Sequence, residues 1–174
     1  GAPVLAFGNF LRAKVATLGL NPSDKEFYSD DGLELTGAGR RFHTLKSLRI
    51  KNWKKLDKIQ LNSIFALCEG YFLNNPYDRW FKVLDYIVAG TGYSYYDYFN
   101  AACHLDLVPF ATRKKWSELN SEQKKILLAC GAKYLARIID VSPIEILILN
   151  GKSVVDGFET MTGISLARKE VKEW

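Results

Sequence analysis

A chain of 174 residues, 48% hydrophobic and 25% charged, has the size and composition of a single globular domain with a substantial core. Lys and Arg outnumber Asp and Glu by 24 to 19, and the net charge of +5 permits a polyanionic partner without demanding one. The sequence has no apolar run long enough to span a bilayer and no secretory signal at its start. The expectation is therefore a cytoplasmic protein that does not enter membranes.

Pro3 to Arg12 is a mixed entry segment with no clear periodicity. Val15 to Leu20 is a short apolar run with β-branched residues, the pattern of a buried parallel strand. Asn21-Pro22-Ser23 ends it, because proline donates no backbone N–H and disfavours helix at the preceding residue. Ser23 to Arg41 is polar and rich in Asp and Gly, a long loop or excursion. Trp53 to Phe72 reads as an amphipathic helix, with Leu56, Ile59, Ile64, Leu67, Tyr71 and Phe72 on its apolar side. Pro76 fits the first turn of a second helix through Leu84, which Gly90-Thr91-Gly92 breaks.

An aromatic loop from Tyr93 to Phe99 leads to a second strand at Ala102 to Val108. Asn120 or Ser121 caps a helix over Glu122 to Ile139. Glu145 to Leu149 is the third strand, and a last short helix lies near Val154 to Met161. Strands separated by helices predict one α/β domain over residues 1–174 with a mainly parallel sheet. Cys68, Cys103 and Cys130 lack the close spacing of a metal ligand set, and three buried thiols are expected. His43 and His104 have no metal-ligand neighbours in sequence, so neither a metal nor another cofactor is expected.

In an open parallel sheet, ligands bind at the loops that leave the carboxyl ends of the strands. Asn21 stands at such a point, although a plain strand-ending turn would use the same residues. Gly19-Leu20-Asn21-Pro22-Ser23 resembles the first active-site motif of the uracil-DNA glycosylase superfamily, whose mismatch-specific and single-strand-selective branches carry Gly-hydrophobic-Asn-Pro-Gly. His104-Leu105-Asp106-Leu107-Val108-Pro109-Phe110 is similar to the base-reading segment of the single-strand-selective branch. Aligning the prolines sets Asp106 where that branch has its base-reading Asn, with His104 one residue further back than the family's His.

The resemblance implies a three-layer α/β/α sandwich around a mainly parallel sheet. It also implies a monomeric, monofunctional DNA glycosylase that needs no cofactor. Asn21 would hold the attacking water, and Gly19, Pro22 and Ser23 would complete the first loop of the base pocket. Phe42 is the first candidate for the aromatic platform under a flipped base, with Phe27 and Tyr28 behind it. Trp80 and Phe81 are read as core.

An Asn at position 106 could donate to uracil O4, whereas an ionised carboxylate only accepts and suits the exocyclic amine of cytosine. Asp106 therefore points to a cytosine-type base, one carrying a modification that spares ordinary cytosine, as in defence against phage with modified DNA. A solvated carboxylate at a strand end is the competing reading of Asp106. Arg113, Lys114 and Lys115 are candidates for phosphate contacts, as are Lys152 and Ser153 after the third strand. Gly151-Lys152-Ser153 lacks the upstream glycine of a Walker loop. The superfamily's second motif, typically His-Pro-Ser after a fourth strand, has no counterpart here. The expectation is a chain that lacks its C-terminal strand, with ordinary uracil repair or non-catalytic nucleic-acid binding as alternatives.

Overall fold

The computed structural model describes residues 1–99 and 101–169. Strand β1 (Val15–Gly19) lies at the centre of a three-stranded sheet. Three helices follow it: α1 (Lys58–Glu69), α2 (Tyr71–Asn74) and α3 (Asp78–Ala89). Then come β2 (Ala102–Asp106), α4 (Ser121–Val141), β3 (Ile146–Leu149) and α5 (Lys152–Thr162). Both outer strands run parallel to β1, in the order β2-β1-β3. This is an α/β protein with a small parallel sheet and five helices among the described residues.

Alternation along the strands divides the core. Val15 and Ala102 join Cys68, Tyr71, Phe72, Phe81, Leu84 and Val88 from α1 to α3. Ala16, Leu18, Cys103 and Leu105 join Leu128, Leu135 and Ile138 of α4 and Val154 of α5. Successive strand residues point to opposite faces, so each face buries its own helices. Helix α4 lies so close to the chain leaving β2 that a Cβ on Gly131 would stand 1.9 Å from the Leu107 carbonyl oxygen.

Several boundaries differ from the sequence expectation for local reasons. The helix expected from Trp53 begins at Lys58, because the Asp57 carboxylate accepts from the Gln60 backbone while the Gln60 side chain accepts from the Asp57 backbone. It breaks at Gly70, and Ile59 is exposed rather than on a buried face. Pro76 precedes α3 instead of sitting inside its first turn. Cys130 is exposed on α4, unlike the buried Cys68 and Cys103.

The unassigned entry segment is built into the core. Phe7 exchanges two backbone hydrogen bonds with His104, each 2.9 Å, and so covers the outer edge of β2. No helix among the described residues is long and apolar enough to cross a membrane.

Candidate functional site

The carboxyl ends of β1 and β2 lie side by side, with Gly19 in register with Asp106 and Thr17 with His104. All four side-chain positions fall on one face of the sheet. A pocket of about 380 Å³ opens over them. Gly19 to Ser23, Glu26, His104 and Asp106 line it, with Asn150 beyond β3. Its aromatic lining is Phe7, Tyr77, Trp80 and Phe81. Gly19 makes room for the carboxylate. A Cβ there would meet Asp106 Oδ1 at 2.4 Å and His104 Nε2 at 2.9 Å.

Asn21 is held by its amide nitrogen. Nδ2 donates to Thr112 Oγ1 at 3.1 Å, to the Pro22 carbonyl at 3.2 Å and, more weakly, to the Phe110 carbonyl at 3.4 Å. Two of these partners are carbonyls, which can only accept, so the NH₂ must face them. Oδ1 has no hydrogen-bond partner among the described residues and can accept from a water. Pro22 is buried behind Asn21. Ser23 accepts from the Lys25 backbone N–H and caps the single 3-10 turn Asp24–Glu26.

His104 and Asp106 are both buried. Nδ1 of His104 lies 2.7 Å from Thr17 Oγ1, which in turn bonds the Tyr95 hydroxyl. Nε2 lies 3.4 Å from Asp106 Oδ1. One direction satisfies the whole chain. Tyr95 donates to Thr17 and Thr17 donates to His104 Nδ1, which leaves the ring proton on Nε2. Burial pushes the Tyr95 hydroxyl far above its ordinary range, so it stays a donor. Asp106 Oδ2 is buried with no hydrogen-bond partner among the described residues.

Glu26 is 3% exposed although Ser23, Asp24 and Lys25 before it are polar. Tyr71 donates to its Oε2 at 2.8 Å, and Arg41 Nε stands 4.0 Å from the same oxygen. Burial, the largest effect, raises its carboxyl to about 7, and the charge of Asp106 adds to the rise. The Tyr71 hydrogen bond and Arg41 oppose it.

Not every candidate reaches the pocket. Phe42 is in the core, stacked on Tyr71 with ring centroids 5.2 Å apart, and does not line the cavity. Phe7 packs edge-on against it and takes the wall position. Phe27 is also core, and Tyr28 borders a different depression. Phe81 is buried as expected, yet Trp80 is half exposed, and both contribute to the lining.

Arg113, Lys114 and Lys115 are exposed along a groove that shares Asn21, Pro22 and Ser23 with the pocket. Lys152 and Ser153 are exposed at the start of α5, between the pocket residues Asn150 and Val154. Among the described residues no group of three or more His, Cys, Asp or Glu side chains is placed to hold a metal.

Glu26, Thr17 and Tyr95 belong to no motif. Asn150 does carry a signal, since it follows β3 as Asn21 follows β1. Neither the protein-family models nor the curated proteins contain a match to this chain.

Proposed function

We propose that this protein is a monofunctional DNA glycosylase that hydrolyses the N-glycosidic bond of a flipped, modified cytosine-type base. The observation that carries the reading is the meeting of Asn21 and Asp106 in one pocket, from the carboxyl ends of adjacent parallel strands. The resemblance of the segments around these two residues to the uracil-DNA glycosylase superfamily supports it. The strand order and the helices on both faces suit that superfamily's three-layer α/β/α sandwich.

The chemistry follows from the side chains. A flipped pyrimidine enters among Phe7, Tyr77, Trp80 and Phe81, which supply apolar and stacking surface. The Asp106 carboxylate, which lines the pocket, accepts from the exocyclic amine, with His104 Nε2 3.4 Å from its Oδ1. A carbonyl at the same pyrimidine position would set acceptor against acceptor in a desolvated site. Asn21 Oδ1 accepts from a water and aims its oxygen at the sugar C1′. An amide is a poor base, so its contribution is orientation of the water beside an oxocarbenium-like sugar.

Arg113, Lys114 and Lys115 would hold the phosphates along the adjoining groove. The volume of about 380 Å³ lies near the lower end of small-molecule sites, roughly 300–1,000 Å³, and leaves space for a substituent at C5. On this reading the partner is DNA, the enzyme acts as a monomer in the cytoplasm, and modified phage DNA is the target.

The test is base release from duplexes and single strands carrying uracil, cytosine or a C5-substituted cytosine, read as alkali-labile abasic sites. Release of the substituted cytosine that Asn21→Ala abolishes is expected. Intact strands with all three bases would refute the proposal.

A further inference from the structure

Two carboxyls reach one pocket from different elements. Asp106 comes from β2, with its side chain 3% exposed and Oδ2 unpartnered among the described residues. The carboxylate lines the pocket, where the N–H of a ligand can meet it. Glu26 comes from the 3-10 turn after the Asn21 loop. Among the described residues Tyr71 and Arg41 both engage Oε2, so Oε1 is the oxygen a ligand can reach.

The groups facing Glu26 are Tyr71 from α2, Arg41 from the segment closing the polar excursion, His104 and Asp106 from β2, and Tyr77 at the start of α3. Arg41 brings a fixed positive charge, but its Nε donates to the Asn75 carbonyl at 2.7 Å and its Nη1 to the Lys25 carbonyl at 2.8 Å. Its hydrogen bonds thus go to the backbone, and it lies over the Tyr77 ring. Tyr71, which accepts from the Tyr77 backbone N–H, has its own hydrogen directed at Oε2.

We propose that Glu26 is a second base-contacting carboxyl, which gives its O–H to a ring acceptor of the flipped base while Asp106 accepts from the exocyclic amine. This rests on the glycosylase reading and assigns how the same pocket selects a cytosine-type base. Cytosine presents an amine and then the acceptors N3 and O2, whereas uracil presents carbonyl, N–H, carbonyl. One carboxylate and one carboxylic acid match the first pattern, and two carboxylates would match neither. Burial and the charge of Asp106 keep a large share of Glu26 protonated near neutrality.

The step balances. The C1′–N1 bond breaks and its electron pair goes to the base. The Glu26 proton moves to N3 or O2, so the base leaves neutral and Glu26 becomes a carboxylate. The water on Asn21 forms the new C1′–O bond and loses its proton to solvent, and Glu26 is protonated again from solvent. The net change is the addition of water across the glycosidic bond.

The experiment is single-turnover excision from a duplex containing 5-hydroxymethylcytosine, by wild type, Glu26→Gln and Glu26→Ala, across about pH 5 to 9. Binding of the uncleaved duplex is measured alongside, and folding is checked by circular dichroism. The wild-type rate should fall about tenfold per pH unit above roughly 7, the behaviour of a required acid form. Glu26→Gln keeps an N–H donor, so binding should stay within about threefold while the rate drops ~10²-fold and loses its pH slope. A Glu26→Gln enzyme with the wild-type rate and slope overturns this role and leaves the glycosylase reading standing. No release by the wild type from any duplex overturns both.

Discussion

Replacing Glu26 by Gln should change how stability depends on pH, with or without substrate. The folded carboxyl titrates at about 7 against an ordinary 4.5, because burial penalises the charged form more than Tyr71 and Arg41 favour it. Below about pH 4.5 the group is neutral in both states, and its favourable contribution is complete. As pH rises from 4.5 towards 7, the unfolded chain releases the proton while the folded chain keeps it. The unfolded state then binds fewer protons, so stability must fall with rising pH, and the loss is complete once pH has passed through about 7.

At 1.36 kcal/mol per pH unit, the rise from 4.5 to about 7 corresponds to about 3 kcal/mol, most of it lost between about pH 5 and pH 8. Gln keeps an acceptor for the Tyr71 hydroxyl and has no proton to lose. Urea unfolding at half-unit pH steps should therefore show wild type losing about 2–3 kcal/mol relative to Glu26→Gln across that interval. Parallel wild-type and mutant profiles would refute the buried, weakly compensated carboxyl described above.

Gly19→Ala would drive a methyl group into Asp106 Oδ1 and His104 Nε2, so it should cost about 1–3 kcal/mol of stability and, under the proposed function, lower excision by displacing Asp106. Urea unfolding and single-turnover rates check the two effects. Asn21→Ala should cut excision at least ~10²-fold with DNA binding nearly intact, because it removes one positioned group from the reacting centre. Near-normal single-turnover rates in the folded variant would remove Asn21 from the mechanism. Neutralising Arg113, Lys114 and Lys115 should weaken binding to every DNA sequence and lower the salt slope by about one for each phosphate that no longer meets a cation. An unchanged slope in the triple variant would make them ordinary surface.

The sheet and the mouth of the pocket could be read in the sequence because their signals are local. Val15 to Leu20 is apolar and β-branched, Asn21-Pro22 marks where it stops, and ligands gather at such strand ends. What could not be read depends on distant partners. Pro3 to Arg12 has no periodicity of its own and is fixed by the pairing of Phe7 with His104. Glu26 follows the polar run Ser23-Asp24-Lys25, and its partners Tyr71 and Arg41 are distant in sequence.

The choice among aromatic residues was equally non-local. Phe42 and Phe7 are both buried, and packing alone decides which one faces the cavity. The start of α1 is a different case, since Asp57 followed three residues later by Gln60 is a capping-box pattern present in the sequence. In α3, Phe81, Leu84 and Val88 form the buried stripe, while Trp80, Val83, Tyr86 and Ile87 are apolar and exposed.

The most direct test of the central claim is the base preference of wild type and Asp106→Asn, measured as single-turnover excision of a C5-substituted cytosine and of uracil from otherwise identical duplexes. An acceptor-only carboxylate facing the base favours the amine at pyrimidine C4. Leaving two acceptors opposed in the pocket costs about 1–3 kcal/mol, which corresponds to roughly 5- to 200-fold in relative rate. Wild type should prefer the cytosine-type base, and Asp106→Asn, which restores a donor, should move the preference towards uracil by that order. A wild-type preference for uracil that Asp106→Asn leaves unchanged would contradict the account.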